Sequence, residues 1–115
     1  MTYRLQGVFS AIADPSRRQI LDYLAATELT AGEIAERFPI SRPAIAKHLK
    51  VLETNGLVVV TRRGRERVHR LNPEPLATVR DWVTRYDRFW TDRLADLKRL
   101  VEADTDDPDN TGGGA

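Results

Sequence analysis

The chain has 115 residues, no cysteine and a formal net charge of +1, and 41% of its residues are hydrophobic. This length predicts one domain, small enough for a second copy to enlarge its core usefully. Because cysteine is absent, disulfides, thiol redox sensing and thiolate metal ligands are excluded. No apolar run approaches the roughly 18 residues of a membrane span, and the N-terminus lacks the apolar stretch of a secretion signal. We therefore expect a cytoplasmic protein without a membrane partner.

Three short helices are predicted in the first third of the chain. The first, an amphipathic helix, ends before Asp14. Asp14 is followed by a proline, the pattern of an N-cap and first helical position, so a second helix begins there and ends near Ala26. Thr30 and Glu33 have capping-box spacing, which predicts a third helix that runs through Phe38.

A fourth helix, a hairpin and one long helix follow. Ser41 caps the fourth helix, which continues to Thr54 and stops at the next Asn-Gly pair. The β-branched run from Leu57, a turn at Gly64 and an alternating segment after it predict a two-stranded hairpin. Apolar residues three or four apart predict a single helix over residues 74–103.

These elements predict a mainly α fold of about five helices with a small two-stranded β-hairpin. Residues 1–103 form the expected domain. Residues 104–115 are acidic and glycine-rich without a large apolar side chain. Such a composition cannot bury enough apolar surface to offset the entropy of ordering, so we expect a disordered tail.

The fourth helix separates an apolar stripe around Leu49 from a basic face around Lys47. A helix anchored on its predecessor through a short turn, with small and basic residues near its N-terminus, has the form of a recognition helix in the DNA major groove. The alternative is a solvated basic face. His48 flanks the stripe, and the roles of phosphate donor and of brace against a neighbouring helix both stay open. The candidate DNA-contacting residues here are Ser41, Arg42, Pro43, Ala44, Lys47, His48 and Lys50.

The hairpin concentrates positive charge directly after this helix. Residues 41–71 contain eight lysine and arginine side chains and two glutamates, a local net charge of +6 in a chain of +1 overall. Crowded guanidinium groups repel one another, whereas a wing along the phosphate backbone or in a minor groove uses all of them. A solvated hairpin tip is the alternative. The candidate wing residues are Arg62, Arg63, Gly64, Arg65 and Arg67.

Enzymatic and metal chemistry have little support in the sequence. There is no cysteine nucleophile, no glycine-rich phosphate loop and no arrangement of Ser, His and carboxylate that the predicted helices would bring together. His69, in the second hairpin strand, is expected to be structural or solvent-facing. His48 and His69 without a third ligand at suitable spacing do not make a transition-metal site. We expect no enzyme, no metal and no cofactor.

The last helix carries four aromatic residues within nine positions, more aromatic surface than a monomer of this size encloses easily. A second subunit that pairs first and last helices would cover it and place two recognition helices about 34 Å apart, one turn of B-DNA. An intramolecular core and a small-molecule pocket lined by Trp82 and Trp90 are the alternatives. The candidate interface residues are Leu5, Val8, Phe9, Trp82, Tyr86, Phe89, Trp90, Leu94 and Leu97.

The segments ADPSRRQIL and PAIAKHLKVLETNGLV resemble the ArsR-type winged helix-turn-helix repressors. The resemblance implies a homodimer that binds double-stranded DNA at an operator palindrome and represses transcription. Many members sense metals through a cysteine pair in the third helix or through carboxylate and histidine ligands in the last helix. Here the third helix reads EIAERF and the last helix has no histidine, and WVTRYDRFWTDRL resembles the metal-free subgroup.

A different function for the same fold is protein–protein contact. In this alternative the winged helix antagonises another regulator, and its basic wing meets an acidic partner protein. The sequence identifies neither the operator nor a small-molecule effector.

Overall fold

The computed structural model describes the backbone of residues 5–105 and the side chains of residues 5–103. Six helices and three short strands make up this described part. One compact unit ends at Arg80 and a second begins at Asp81. The elements in chain order are α1 (Leu5–Ile12), α2 (Pro15–Ala26), β1 (Leu29–Thr30), α3 (Ala31–Ala35), α4 (Arg42–Thr54), β2 (Val58–Arg63), β3 (Glu66–Leu71), α5 (Glu74–Thr84) and α6 (Asp87–Thr105).

The predicted caps of α2 and α3 are confirmed. The Asp14 carboxylate accepts a hydrogen bond from the backbone N–H of Arg17 at 3.0 Å, and this bond lowers the pKa of Asp14. The Thr30 hydroxyl accepts from Glu33 N at 3.2 Å, while the Glu33 carboxylate accepts from Thr30 N at 2.8 Å. Both halves of the capping box are therefore formed, and each satisfies an otherwise unpaired donor.

Helix α3 is shorter than predicted. It ends at Ala35, and the extension through Phe38 is wrong. Arg37 N donates to Ile34 O and Phe38 N donates to Ala35 O, so the chain leaves the helix through tight i to i−3 bonds. The proline at 39 disfavours a helical conformation for Phe38, which explains why the helix does not continue through that residue.

Helix α4 begins and ends as predicted. The Ser41 hydroxyl accepts from Ala44 N at 3.3 Å, and the helix stops at Thr54. Gly56 has a φ of 77°, and Leu57 N donates to Leu52 O at 2.9 Å. This is the bond that closes a Schellman C-terminus, where glycine tolerates the left-handed backbone that other residues rarely adopt.

The predicted hairpin is confirmed, and the sheet has a third strand that the sequence did not reveal. Strands β2 and β3 pair antiparallel around a turn at Gly64, whose φ is 61°. The two-residue strand β1 pairs with the other edge of β3, which gives the order β1-β3-β2. His69 in the central strand lies opposite Leu29 on one side and Val60 on the other.

The core lies within the unit that ends at Arg80, where α1, α2, α3, α4 and the sheet each contribute side chains. Val8 is 0% exposed, so it has no surface to offer a partner; it is a core residue, and its prediction as an interface residue is corrected. The apolar side chains with at most 1% exposure include Val8, Ala11, Ile20, Ile34, Ile45, Leu52 and Leu57.

The prediction of a single last helix is wrong, because α5 ends at Thr84 and α6 begins at Asp87. At the break, Arg85 N donates to Trp82 O and Tyr86 N donates to Val83 O, both i to i−3 bonds. No proline or glycine marks this position, and the apolar spacing continues through it. Helix α6 reaches Thr105, two residues into the predicted tail; the remaining tail residues, 106–115, lie outside the described part.

Candidate nucleic-acid interface

Helix α4 divides into a buried face and an exposed face where the sequence placed them. Ile45 and Leu49 are buried in the core, while Pro43, Lys47 and Lys50 are exposed. Ser41 and Arg42 are also exposed, and Ala44 is half-buried. The exposed face therefore presents cations and small side chains on one rigid helix.

Arg42 lies at the start of α4 and reaches back toward α3. A Cβ atom added at Gly32 would stand 3.1 Å from Nη2 of Arg42, closer than a comfortable contact. The absence of a side chain at Gly32 thus gives the Arg42 guanidinium room against α3. Arg42 remains an exposed cation beside the helix N-terminus.

His48 braces α4 against the start of α2, one of the two roles that the sequence left open. Its Nδ1 lies 3.4 Å from Nη1 of Arg17 and 3.9 Å from Oδ2 of Asp14. Arg17 in turn donates from Nε to Ala11 O at 2.6 Å and from Nη2 to Ser10 O at 3.0 Å. This network joins the end of α1, the start of α2 and the middle of α4. Sequence patterning had not singled out Arg17.

The wing arginines are all exposed at the hairpin tip, with Gly64 between them. Arg62 and Arg67 face each other directly across the two strands, a like-charge pairing that destabilises a hairpin. Arg63 instead forms an ion pair with Glu28 at 2.8 Å. Within the described residues, Arg63 is therefore partly compensated, whereas Arg62, Arg65 and Arg67 keep their charge without a carboxylate partner.

A groove of about 480 Å³ separates α4 from the hairpin. Three of its side chains are cations and one is a carboxylate. Glu53 and His69 were not among the site residues predicted from the sequence. The spacing from Ala46 to Glu53, at helical intervals on one face, was the available signal. The lining residues are Ala31, Ala46, Leu49, Lys50, Glu53, Arg65, Arg67 and His69.

His69 is the buried polar residue of this groove, with 8% of its surface exposed. Burial lowers the pKa of the imidazole; backbone hydrogen bonding at Leu29 opposes the shift, and the Arg67 guanidinium adds to it. Its Nδ1 is enclosed and has no hydrogen-bond partner among the described residues. Of the two predicted roles, structural or solvent-facing, the burial favours the structural one.

The second unit has a different surface. Every described side chain from Asp81 to Ala103 is exposed, and nine of these are large and apolar, with exposed fractions between 36% and 64%. The Trp82 and Tyr86 rings meet edge to face at 5.3 Å between centroids, and Phe89 follows at 6.1 Å from Tyr86. The apolar stripe comprises Trp82, Val83, Tyr86, Phe89, Trp90, Leu94, Leu97, Leu100 and Val101.

The remaining predicted interface residues lie on α1. Leu5 and Phe9 are half-buried there. Their pairing with the last helix across a second subunit stays a prediction.

The described part of the chain contains neither a membrane-spanning helix nor a cluster of metal-ligating side chains. None of its helices is both long enough and apolar enough to cross a membrane. Between residues 5 and 103, no three side chains among His, Cys, Asp and Glu come together in a way that could hold a metal ion.

Comparison with known proteins adds to this geometry. Residues 12–61 match the model of a helix-turn-helix domain. The chain is 43% identical over 107 residues to the HTH-type transcriptional regulator Rv2034 of Mycobacterium tuberculosis, covering 92% of this chain and 97% of that protein. An ArsR-like transcriptional regulator from Rhodococcus sp. RHA1 superposes with a TM-score of 0.66 at 38% identity, over 84% of this chain and 91% of that one. The chain belongs to the ArsR family.

Members of the ArsR family are winged helix-turn-helix transcriptional regulators, a DNA-binding and non-enzymatic class. The transcriptional repressor SdpR of Bacillus subtilis is also similar, with 39% identity over 82 residues, 71% of this chain and 91% of that protein. The six helices and the antiparallel hairpin agree with the ArsR-like fold. This ArsR-family chain is a DNA-binding transcriptional regulator, with α4 in the position of the recognition helix and the hairpin in that of the wing.

Proposed function

We propose that this ArsR-family chain is a homodimeric repressor of a palindromic operator. In this proposal α4 enters the major groove and the hairpin lies on the neighbouring backbone as a wing. One observation carries it: the exposed basic face of α4 adjoins a hairpin tip with three arginines that have no carboxylate partner in the described chain. A polyanion compensates this charge, whereas water alone leaves the repulsion between Arg62 and Arg67.

The apolar stripe of the second unit supports the homodimer. Exposed apolar surface on this scale marks a binding face in soluble proteins, and aromatic side chains supply much of the burial at subunit interfaces. A two-fold axis gives the dimer two recognition helices and two wings, one of each for either half-site of a palindrome. Leu5 and Phe9 join the stripe in the proposed interface, and Val8 does not.

Repression without a metal signal completes the proposal. The similar protein of Bacillus subtilis is named a transcriptional repressor. The chain has no cysteine, and its two histidines lie in α4 and β3 rather than in the last helix. The donor sets through which many ArsR proteins hold metal are therefore missing from the sequence.

The direct test is binding of the purified chain to the DNA upstream of its own gene. We expect a complex with a native fragment that forms at low salt and dissociates steeply as salt rises, since phosphate contacts release counterions. If no upstream fragment is bound at low salt, the repressor proposal fails. Capture of an acidic regulator in place of DNA would favour the antagonist role.

Two variants distinguish a residue that recognises the base sequence from one that contacts the DNA backbone. Arg65→Ala should weaken specific and random duplexes alike and reduce the salt slope by about 0.9, the value for one lost phosphate contact. Lys47→Ala should change the preference between operators by about 1–3 kcal/mol. Competition titrations with both duplexes measure each effect, and an equal loss on both for Lys47→Ala would contradict its assignment.

A further inference from the structure

We propose that the groove between α4 and β3 seats one phosphate of the DNA backbone, and that Glu53 weakens this seat. The cations of the seat are Lys50, Arg65 and Arg67. This inference rests on the proposed DNA-binding function and adds to it a defined phosphate position and a residue that limits affinity.

The two walls of the groove follow from elementary periodicity. On α4, Ala46, Lys50 and Glu53 recur at intervals of four and three residues, so they share one helical face. On the hairpin, Arg67 and His69 alternate along β3 and therefore share one face of the sheet, and Arg65 lines the groove from the turn before β3. The groove is thus a direct consequence of setting this helical face against this face of β3.

The charges of the groove suit a phosphate diester. Lys50, Arg65 and Arg67 are exposed, and none has a carboxylate within ion-pair distance among the described residues. Against them stands one carboxylate, that of Glu53, which leaves a net charge of +2 in the groove with His69 neutral. A phosphate diester carries one negative charge and oxygens that accept from guanidinium and ammonium groups.

DNA geometry brings a phosphate to this place. The sugar-phosphate backbone is the ridge between the major and minor grooves. If α4 lies in the major groove and the hairpin tip reaches the adjoining minor groove or its rim, the ridge between them must pass over the space between α4 and the hairpin. That space is the groove of about 480 Å³.

His69 is the buried polar residue among the side chains that line the groove. The residue lines the groove, is more than nine-tenths buried, and holds an Nδ1 without a hydrogen-bond partner in the described chain. Because this atom is enclosed by the protein, a phosphate in the groove does not reach it, and the proposed seat depends on Lys50, Arg65 and Arg67.

The proposal predicts the direction in which a change at Glu53 alters the affinity for DNA. It is half-buried and is the one carboxylate among the groove-lining side chains. A carboxylate beside a seated phosphate repels it, so neutralising Glu53 should strengthen DNA binding. A residue that served only the fold would give no gain in affinity when changed.

The test uses fluorescence anisotropy with a labelled random-sequence 24-base-pair duplex at low salt, because a backbone contact does not depend on sequence. Glu53→Gln should bind about three- to tenfold more tightly, as expected for one charge removed near a phosphate. Asp22→Asn, the same charge change at an exposed position on α2, is the matched control and should change the affinity less than twofold.

A steric variant tests the same seat without changing charge. Ala46→Leu fills the groove from α4 and should weaken binding at least about tenfold, whereas Ala25→Leu, the same change at an exposed position on α2, should not. Thermal unfolding confirms that each variant is folded. If the unmodified chain binds the duplex but Ala46→Leu has no effect and Glu53→Gln behaves as Asp22→Asn, the phosphate seat is wrong and the DNA-binding function stands. If the unmodified chain binds no DNA, both proposals fail.

Discussion

The two units of this chain treat their apolar side chains in opposite ways. Up to Arg80, helices and sheet enclose a core in which residues such as Ile20 and Leu52 are fully buried. From Asp81, side chains of similar size stand 36–64% exposed. The first unit therefore has within one chain what it needs to fold around a core. The second has an apolar stripe whose composition is that of an interface, which is why we propose that a partner copy covers it.

Two leucine truncations test the contrast between the two units with the largest expected effect. Leu52→Ala removes a fully buried side chain from α4 and should lower the free energy of unfolding by about 2–5 kcal/mol. Leu94→Ala removes a side chain that is 64% exposed and should weaken subunit association instead. Urea unfolding at two protein concentrations distinguishes them, because only the second effect depends on concentration. A Leu94→Ala loss as large as that of Leu52→Ala at every concentration would place the stripe in a monomer core.

Charge placed in the stripe should separate the subunits. Trp90→Arg replaces a 62% exposed aromatic side chain, and the dimer should weaken by at least about 2 kcal/mol, the scale of an interface hot spot. Asp92→Arg introduces the same residue on the other side of α6 and is the control. Sedimentation equilibrium gives the association state of both. A Trp90→Arg dimer as stable as the unmodified one would assign Trp90 to a small-molecule pocket or to the monomer.

Within the first unit, the capping box of α3 contributes a smaller amount. Thr30→Ala removes the hydroxyl that accepts from Glu33 N and should lower the free energy of unfolding by about 1 kcal/mol. Thr27→Ala, whose hydroxyl caps no helical N–H, is the control. Chemical denaturation measures both, and equal effects would show that the cap adds no stability.

The smallest effect concerns His69 and pH. Because its pKa is lowered in the folded chain, the unfolded chain takes up the proton first as pH falls. The contribution of His69 to stability is therefore complete above the ordinary pKa of about 6.5 and is lost as pH falls through the lowered folded-state value. Thermal unfolding between pH 8 and pH 5 should show a steeper decline for the unmodified chain than for His69→Leu. Identical declines would show that His69 does not cause the loss of stability at low pH.

Local signals in the sequence predicted most of the first unit. The Asp14, Thr30 and Ser41 caps and the glycine at 56 each act through bonds within a few residues, so their effects could be read along the chain. Strand β1 was missed because two residues carry no periodicity, and it exists only through pairing with β3. The break at Arg85 was missed because the apolar spacing passes through it unchanged.

The features of the candidate site also divide into those that local sequence signals predicted and those that depend on tertiary contacts. The basic face of α4 and the wing arginines lie next to one another in sequence, which made them visible as a charge cluster. The ion pair from Arg63 to Glu28, the brace from His48 to Arg17 and the groove that joins Glu53 to His69 all depend on elements meeting in space. Side chains brought together by tertiary structure leave no fixed interval in the sequence.

The central claim is that two copies of this chain, joined through the second unit, read one DNA site with the first. Sedimentation velocity of the chain mixed with its upstream duplex measures this directly, with a random duplex of equal length beside it. We expect two chains per upstream duplex and an affinity at least about a thousandfold above that for the random one at physiological salt. One chain per duplex, bound equally to both sequences, would contradict the claim.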